Sequence, residues 1–200
     1  MGSHTRERIM DVALKLFAQK GVAATAITAI EGGAGLAAGS GSFYRHFKDK
    51  SELLAAVVER EMNRVRKNPE VRVAREAGDL PPGQALAVQL LADLEFLHDL
   101  LPLIAILMWE RDRAPNVATQ VRQTMVERGI EQGTADLLGR AREGPVRDDP
   151  AAAATVMMSA VVGYFLSVEY FGKPPADVGP ERFTTTLARL LVEASGSASG

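Results

Sequence analysis

No cysteine occurs among the 200 residues of this chain, which excludes disulfides, thiol catalysis and cysteine-ligated metal. Histidine is scarce as well. The three histidines, at positions 4, 46 and 98, lie far apart in the sequence and predict no metal site. Motifs typical of hydrolases and zinc proteases, such as G-x-S-x-G and HExxH, are missing. We therefore expect neither an enzyme nor a bound cofactor.

A secretion signal is also missing from the first residues, MGSHTRERIMD, which contain no apolar run. One apolar stretch, residues 151–168, comes near the length of a membrane-spanning helix. It is rich in alanine, contains Ser159 and Gly163, and is followed directly by Glu169. These features favour a buried helix over a membrane span, and we expect a cytoplasmic protein with no membrane partner.

Strand patterns are rare, because few segments combine alternating polarity with β-branched residues. Apolar residues instead recur at helical spacing, which predicts an all-α fold of about nine helices. The first helix is expected over residues 5–21, with Thr5 as its cap and Gly21 at its end. Asp49 is expected to cap a longer helix, with Glu52 completing a capping box.

The remaining helices follow from the same spacing. Two short ones are predicted at 25–35 and 41–47. A polar connector with three prolines is predicted over 66–83. Further helices are expected near 83–100, 102–112, 115–141, 149–172 and 180–195.

Charge is distributed unevenly along the chain. The net charge is −2, but residues 1–67 hold eleven basic and seven acidic side chains, whereas residues 68–200 hold twelve and eighteen. The N-terminal third is therefore +4 and the remainder −6. A basic module on an acidic body indicates a polyanionic partner for the first segment and another task for the second.

The stretch GSGSFYRHFKDK (39–50) concentrates hydrogen-bond donors in one short turn. Phe43 and Phe47 are four residues apart and project from one side of a helix, so that serines, Tyr44 and Arg45 face outward. Hydroxyl and guanidinium groups suit phosphate oxygens and base edges. Two short helices around a tight turn thus indicate a helix-turn-helix. The same spacing also suits a solvated corner between short helices, and leaves both interpretations open.

The segment from Arg8 to Leu54 resembles the DNA-binding domain of the TetR family of bacterial repressors. The family pattern G-x-x-Y-x-H-F-x-x-K-x-x-L is matched by GSFYRHFKDKSEL (41–53) at each named position, after an Ala-Gly-hydrophobic turn at 34–36. The resemblance implies a helix-turn-helix DNA-binding domain over residues 1–67. It implies a ligand-binding and dimerisation bundle over residues 68–200.

Two departures from the family pattern affect the turn. A serine or threonine usually follows the Ala-Gly-hydrophobic turn as a cap, but here Ala37 and Ala38 intervene and lengthen the turn by two residues. Glu31 stands where an alanine is usual, and Gly32-Gly33 weakens the second helix. Gly39 or Ser40 is then expected to supply the cap.

The resemblance also implies roles for individual residues. The expected base readers are Ser40, Ser42 and Arg45. The expected phosphate contacts are Thr25, Tyr44, His46 and Lys50. A simple capping role suits Thr25 equally well.

In the TetR family the C-terminal helices form a homodimer and bind a small ligand. The last two predicted helices carry apolar stripes that suit pairing with a second copy, although packing within one subunit would also use them. The residues expected to line a ligand pocket are Phe96, Leu101, Met108, Trp109, Met125, Met158 and Tyr164. Glu95, His98 and Glu110 are the polar groups expected to orient a ligand. The apolar candidates also suit an ordinary core.

The function implied is a ligand-responsive transcriptional repressor. It would act as a homodimer on a near-palindromic DNA operator and be released by a small apolar or aromatic effector. Two alternatives remain at this point: a DNA-binding dimer without an effector, and a helical small-molecule-binding protein or enzyme.

Overall fold

The computed structural model describes residues 2–66, 80–110, 119, 121–141 and 144–192. Within these ranges all regular structure is helical, which confirms the predicted all-α fold. Most of the predicted connector and the tail SGSASG lie outside the described residues. The α-helices are α1 (Gly2–Ala24), α2 (Ile27–Gly33), α3 (Lys50–Arg66), α4 (Pro82–Asp99), α5 (Leu101–Glu110), α6 (Arg128–Arg140), α7 (Pro145–Asp148), α8 (Pro150–Phe171) and α9 (Pro180–Val192).

Several predicted helix ends shift in the structure. The first helix begins at Gly2, so Thr5 lies inside it and does not cap it. The break at Gly21 is confirmed by its φ of 76°, after which one further turn continues to Ala24. Within the described ranges, the helix expected from residue 115 contains a π-helical turn over Arg122–Glu127 that leads into α6.

The helices form two compact units. Unit 1 contains α1, α2, α3 and α5, and unit 2 contains α4 and α6 to α9. The expected boundary at residue 67 separates α3 from α4, but α5 packs against α1 and joins unit 1.

The core of unit 1 is built from apolar side chains of α1, of α3 and of the segment between α2 and α3. Phe43 and Phe47 are 0% and 1% exposed, as expected for the anchoring pair. They share this core with Ile9, Ala13, Phe17, Leu53, Leu54, Val57, Val58 and Met62, all buried. Burying a valine, leucine, isoleucine, phenylalanine or methionine side chain stabilises the fold by about 1.5–3 kcal/mol.

A close approach explains one of the two glycines at the end of α2. A Cβ atom at Gly33 would lie 2.7 Å from a methyl carbon of Val12 on α1. At Gly32 a Cβ atom would meet nothing within 4 Å. Gly33 therefore allows α2 to pack on α1, whereas Gly32 serves no such contact.

The start of α3 is capped as predicted. The backbone N–H of Glu52 donates to the Asp49 carboxylate at 2.8 Å. The Glu52 carboxylate accepts from the N–H of Lys48 at 2.7 Å, one residue earlier than the usual capping box requires. Two otherwise unpaired backbone donors are thereby satisfied.

In unit 2, α4 packs against α9, and α6 packs against α8. The helix α8 is long and apolar enough to span a membrane by length and composition, and 28% of its 18-residue apolar window is buried. One side, including Met157, Val161, Tyr164 and Phe165, is buried. Val156 and Tyr170 are exposed. The prediction of a buried helix is therefore confirmed for one face of α8, and the other face is exposed in the single chain.

Candidate nucleic-acid interface

The recognition turn, residues 39–47, has a shorter helical segment than the sequence predicts. A single 3-10 turn covers Ser42–Arg45 in place of an α-helix over 41–47. Gly39 and Gly41 on either side of Ser40 have φ angles of 79° and 72°, a left-handed conformation that keeps an α-helix from forming there. A Cβ atom at Gly41 would meet only a Tyr44 ring carbon, at 4.0 Å, so its backbone conformation accounts for the glycine.

The buried side of the turn is held by aromatic packing. The rings of Phe43 and Phe47 lie 5.9 Å apart, and the guanidinium of Arg6 lies 4.6 Å above the Phe47 ring. Two buried phenylalanines fix the roll of the backbone between them. The side chains on the opposite side therefore point to solvent.

The outward side carries the predicted donors. Tyr44 is 60% exposed and packs edge-on against Phe43, with ring centroids 5.3 Å apart. Arg45 is exposed and His46 half-buried, and neither side chain makes a hydrogen bond within the described ranges. Both are available to a ligand at this surface.

Ser40 and Ser42 already bond to each other. Their hydroxyl oxygens are 2.8 Å apart, and the N–H of Ser42 lies 3.3 Å from the Ser40 hydroxyl. Because one hydroxyl hydrogen is used within the pair, the two serines together offer fewer free donors than their number indicates.

Two predicted phosphate contacts are placed differently from expectation. Thr25 is 1% exposed, and its hydroxyl donates to the carbonyl of Gly21 at 2.8 Å. It closes the end of α1, and the cap of α2 is Ala26, with no side-chain bond. The side chain of Thr25 therefore faces the protein interior.

Lys50 is the second of these residues. Its ammonium donates to the carbonyls of Val22, Ala23 and Thr25 at 2.7, 3.1 and 2.9 Å. All three ammonium hydrogens are thus used in capping the C-terminal end of α1. The arrangement links the start of α3 to α1.

Glu31 has a role that the sequence pattern did not reveal. It is 1% exposed, and its carboxylate oxygens accept hydrogen bonds from the N–H groups of Gly39 (2.7 Å) and Phe43 (3.0 Å). The available signal was its departure from the alanine of the family pattern. The Arg8 side chain donates nearby, to the carbonyl of Ala34 at the end of α2.

A family model described as "Bacterial regulatory proteins, tetR family" matches residues 9–57, from α1 into α3. This range contains the whole recognition turn. Over this range the chain matches the DNA-binding segment of the TetR family.

Solved structures of TetR-family regulators match nearly the whole length of the chain. A TetR-family regulator of Cytophaga hutchinsonii has a TM-score of 0.69 at 18% identity, covering 95% of this chain and 94% of its own. The regulator FadR of Bacillus subtilis, in complex with stearoyl-CoA, has a TM-score of 0.65 at 17% identity, with coverages of 93% and 97%. AibR, in complex with isovaleryl coenzyme A and operator DNA, has a TM-score of 0.63 at 15% identity, with the same coverages. At these identities the likeness concerns the fold.

Curated relatives match more closely over shorter segments. AcrR of Shigella flexneri, a helix-turn-helix transcriptional regulator, is 47% identical over 55 residues, which is 28% of this chain and 25% of that protein. YerO of Bacillus subtilis is 33% identical over 105 residues, 52% of this chain and 35% of that protein. The chain thus spans between a quarter and about a third of these relatives.

The predicted ligand residues are divided between the two units. Leu101, Met108 and Trp109 belong to α5 in unit 1, where the Trp109 indole N–H donates to the carbonyl of Ala18 at 3.2 Å. Glu110 is 6% exposed and accepts from the N–H of Val22 at 3.1 Å. These α5 residues therefore hold the broken end of α1.

Unit 2 contains a cavity of about 310 Å³. Its lining consists of Leu91, Leu94, Glu95, His98, Tyr164, Phe165, Val168, Glu169, Pro174 and Pro180. Of the apolar candidates, Tyr164 lines it. Phe96 and Met158 do not, and the methyl carbon of Met158 packs close to Gly129. The side chain of Met125 lies outside the described residues.

Polar groups converge at this cavity. Nδ1 of His98 lies 3.0 Å from a carboxylate oxygen of Glu169. The Tyr164 hydroxyl donates to the carbonyl of Val178 at 2.9 Å, and its ring stacks on Phe183 with centroids 4.3 Å apart. Burial raises the pKa of Tyr164. Glu169 and the two prolines were not among the sequence candidates. Within the described ranges of the chain no group of three acidic or histidine side chains could hold a metal ion.

Proposed function

We propose that this chain is a TetR-family regulator of transcription that binds duplex DNA through the recognition turn. The observation that supports it most strongly is the turn's outward side, where Tyr44 and Arg45 are exposed while Phe43 and Phe47 are buried behind them. Arg45, Ser40 and Ser42 would contact base edges, since arginine can pair with guanine through two hydrogen bonds. Tyr44 and His46 would contact phosphates. We assign no direct contact to the side chains of Thr25 and Lys50.

Electrostatics support the same partner. Residues 1–67 carry a net charge of +4 in a chain of net charge −2. Neutralising phosphates releases counterions, so that affinity for DNA falls steeply as salt concentration rises. A local positive charge also concentrates DNA near the turn.

We further propose that the active form is a homodimer that pairs through α8 and α9. Val156 and Tyr170 on α8 and Leu190 on α9 are 59%, 57% and 65% exposed. Exposed apolar surface on neighbouring helices is typical of an interface. A two-fold dimer would place two recognition turns about 34–36 Å apart, which suits a near-palindromic operator.

We propose a small apolar or aromatic effector for the cavity in unit 2. Its volume of about 310 Å³ is at the lower end of the range for ligand pockets. The neighbours FadR and AibR hold acyl-CoA thioesters. Glu95 and Glu169 at this cavity would repel the phosphates of such ligands, which favours a neutral or cationic molecule instead. The alternative of a dimer without an effector predicts a filled core, and the cavity argues against it.

The effector would act by population shift. A ligand that binds one arrangement of the dimer better than the DNA-bound arrangement weakens DNA binding by the difference in its two affinities. We propose that the protein acts in the cytoplasm as a repressor, which leaves its operator when the effector accumulates.

Selection of bound fragments from random duplex DNA by the full chain tests the function. Recovery of a palindrome with half-sites one helical turn apart is the expected result, and it would support both DNA recognition and the homodimer. Failure to enrich any sequence at moderate salt would contradict the proposal.

The effector is tested by thermal unfolding of the full chain with three probes: a neutral aromatic compound, a cationic aromatic amine and a short acyl-CoA. One of the first two is expected to raise the melting temperature and lower operator affinity. Leu91→Trp, which fills the cavity, should abolish both effects. Val88→Trp on the exposed side of α4 is the matched control and should keep them. If no probe acts, the effector-free dimer is favoured.

A further inference from the structure

Among the residues that the structure describes, Glu31 is a buried carboxylate without a cationic partner. Its side chain is 1% exposed, and no lysine, arginine or histidine lies within ion-pair distance in the described ranges. A buried charge of this kind is costly unless hydrogen bonds replace the lost water. In Glu31 both oxygens are satisfied by backbone amides, one from Gly39 and one from Phe43.

These two amides lie at either end of the glycine-serine segment of the recognition turn. Gly41 is the N-cap of the 3-10 turn and makes no side-chain bond to it. Ser40 bonds to Ser42, and so no hydroxyl caps the N–H of Phe43. The Glu31 carboxylate, which comes from α2, accepts that N–H in place of a capping hydroxyl.

The bonds fix backbone that would otherwise be free to move. Gly39 and Gly41 are the least restricted residues of the turn, and Ser40 between them is exposed. Phe43 is held by its ring in the core and by its N–H on Glu31. Between these two anchored amides, α2 therefore sets the position of the serines and the start of the turn that presents Tyr44.

We propose that Glu31 is a positioning residue for DNA recognition: by accepting the amides of Gly39 and Phe43 it sets the placement of the recognition turn and hence which bases are preferred. The inference rests on the proposed function. The inference goes beyond that function because it attributes the preference for particular bases to Glu31, a buried side chain that does not reach the DNA.

The test compares Glu31→Gln with Glu110→Gln in the full chain. Both replace a buried carboxylate of unit 1 that accepts backbone N–H groups. Glutamine keeps one carbonyl oxygen, which suffices for the single amide at Glu110. At Glu31 it leaves one amide facing an NH₂ group, because both oxygens accept there.

Three readouts are needed: helical circular dichroism with thermal unfolding, affinity for random duplex at low salt, and selection from random DNA. For Glu31→Gln we expect a folded chain, unchanged affinity for random duplex, at least tenfold weaker binding to the wild-type operator, and an altered base preference in the half-site. Glu110→Gln should keep the wild-type preference. An unaltered preference in folded Glu31→Gln would overturn the inference, whereas absence of any wild-type operator would overturn the proposed function instead.

A measurement on the wild-type chain tests the inference even if the Glu31→Gln variant does not fold. Hydrogen exchange should protect the amides of Gly39 and Phe43 at least tenfold more than the neighbouring amide of Ala38. Exchange of Gly39 as fast as that of Ala38 would show that the carboxylate does not hold the turn, and would contradict the inference without any substitution.

Discussion

At the residue scale, the same functional group serves different purposes in unit 1. The carboxylate of Glu31 accepts two amides, that of Glu110 accepts one, and that of Glu61 pairs with Arg60 and Arg64. Burial alone would lower the pKa of Arg60, but hydrogen bonds and charges from Glu61, Glu7 and Asp11 outweigh it and raise the pKa. Arg60 therefore stays charged throughout the physiological pH range, and it links α3 to α1 through its contacts with Glu7 and Asp11.

Arg45 provides the sharpest residue-scale prediction for DNA recognition. Arg45→Ala should reduce discrimination between the operator and an operator mutated at one base pair by about 1–3 kcal/mol, since a bidentate contact would be lost. Competition binding with both duplexes measures this. Lys173→Ala, which removes one exposed positive charge from unit 2, is the control and should leave discrimination unchanged. Equal discrimination in both variants would contradict the assignment of Arg45.

Tyr164 leads to a prediction about pH. Because burial raises its pKa, the hydroxyl stays protonated in the folded chain after the unfolded chain has begun to ionise above about pH 10. Its stabilising contribution is complete below that pH and is lost as pH rises through the folded pKa. Tyr164→Phe should lower stability at pH 7 by about 1 kcal/mol through loss of the bond to Val178.

The variant should also show a smaller fall in stability than wild type between pH 9 and pH 11. Denaturant unfolding at both values provides the comparison. Identical pH dependence in the two proteins would mean that another group is responsible for alkaline unfolding.

At the element scale, α2 can pack on α1 because Gly33 has no side chain. Gly33→Ala should destabilise unit 1 by about 1–3 kcal/mol, because the added methyl overlaps Val12. Gly32→Ala is the matched control in the same helix. It should stabilise by roughly 0.5–1 kcal/mol, since alanine favours helix and space is open there.

Chemical denaturation measures the stability of the two single alanine variants. The same measurement is made on a double variant that combines Val12→Ala with Gly33→Ala. The double variant should recover most of the stability that the Gly33→Ala overlap removes. Equal effects of the two single substitutions would show that helix propensity alone decides, with no role for the contact to Val12.

Helix positions were predictable from the sequence to different degrees. Periodic apolar spacing predicted α4, α8 and α9 to within a few residues, because packing of a long stripe requires that period. The recognition turn was not predictable in detail. Its backbone depends on Glu31, which comes from a different helix, and on two left-handed glycines, so local propensity could not reveal the 3-10 turn.

The candidate site also contains features that the sequence predicts and features that it does not. The pattern around Phe43 and Phe47 correctly placed Tyr44 and Arg45 on the exposed side. Residue type alone could not show that the Lys50 ammonium bonds to carbonyls of α1, since a lysine suits a phosphate equally well. The residues expected to bind a ligand are mostly apolar, a property that core residues and cavity residues share.

At the scale of the whole molecule, the apolar face of α8 and α9 leads to a prediction about assembly. Val156→Glu places a charge on the proposed interface and should weaken dimerisation at least tenfold, with a parallel loss of operator affinity. Val88→Glu, at an exposed position of α4, is the matched control. Sedimentation velocity across a concentration series measures both. A Val156→Glu variant that stays dimeric would move the interface elsewhere.

The hydrogen bond between the Ser40 and Ser42 hydroxyls has a consequence for operator choice. A nucleobase acceptor can use only the one hydroxyl hydrogen that this bond leaves free, so the serine pair distinguishes bases less well than the two parallel donors of an arginine. Mutating operator positions opposite the serines should therefore be tolerated, and evolution of a new target sequence would proceed chiefly through the guanidinium.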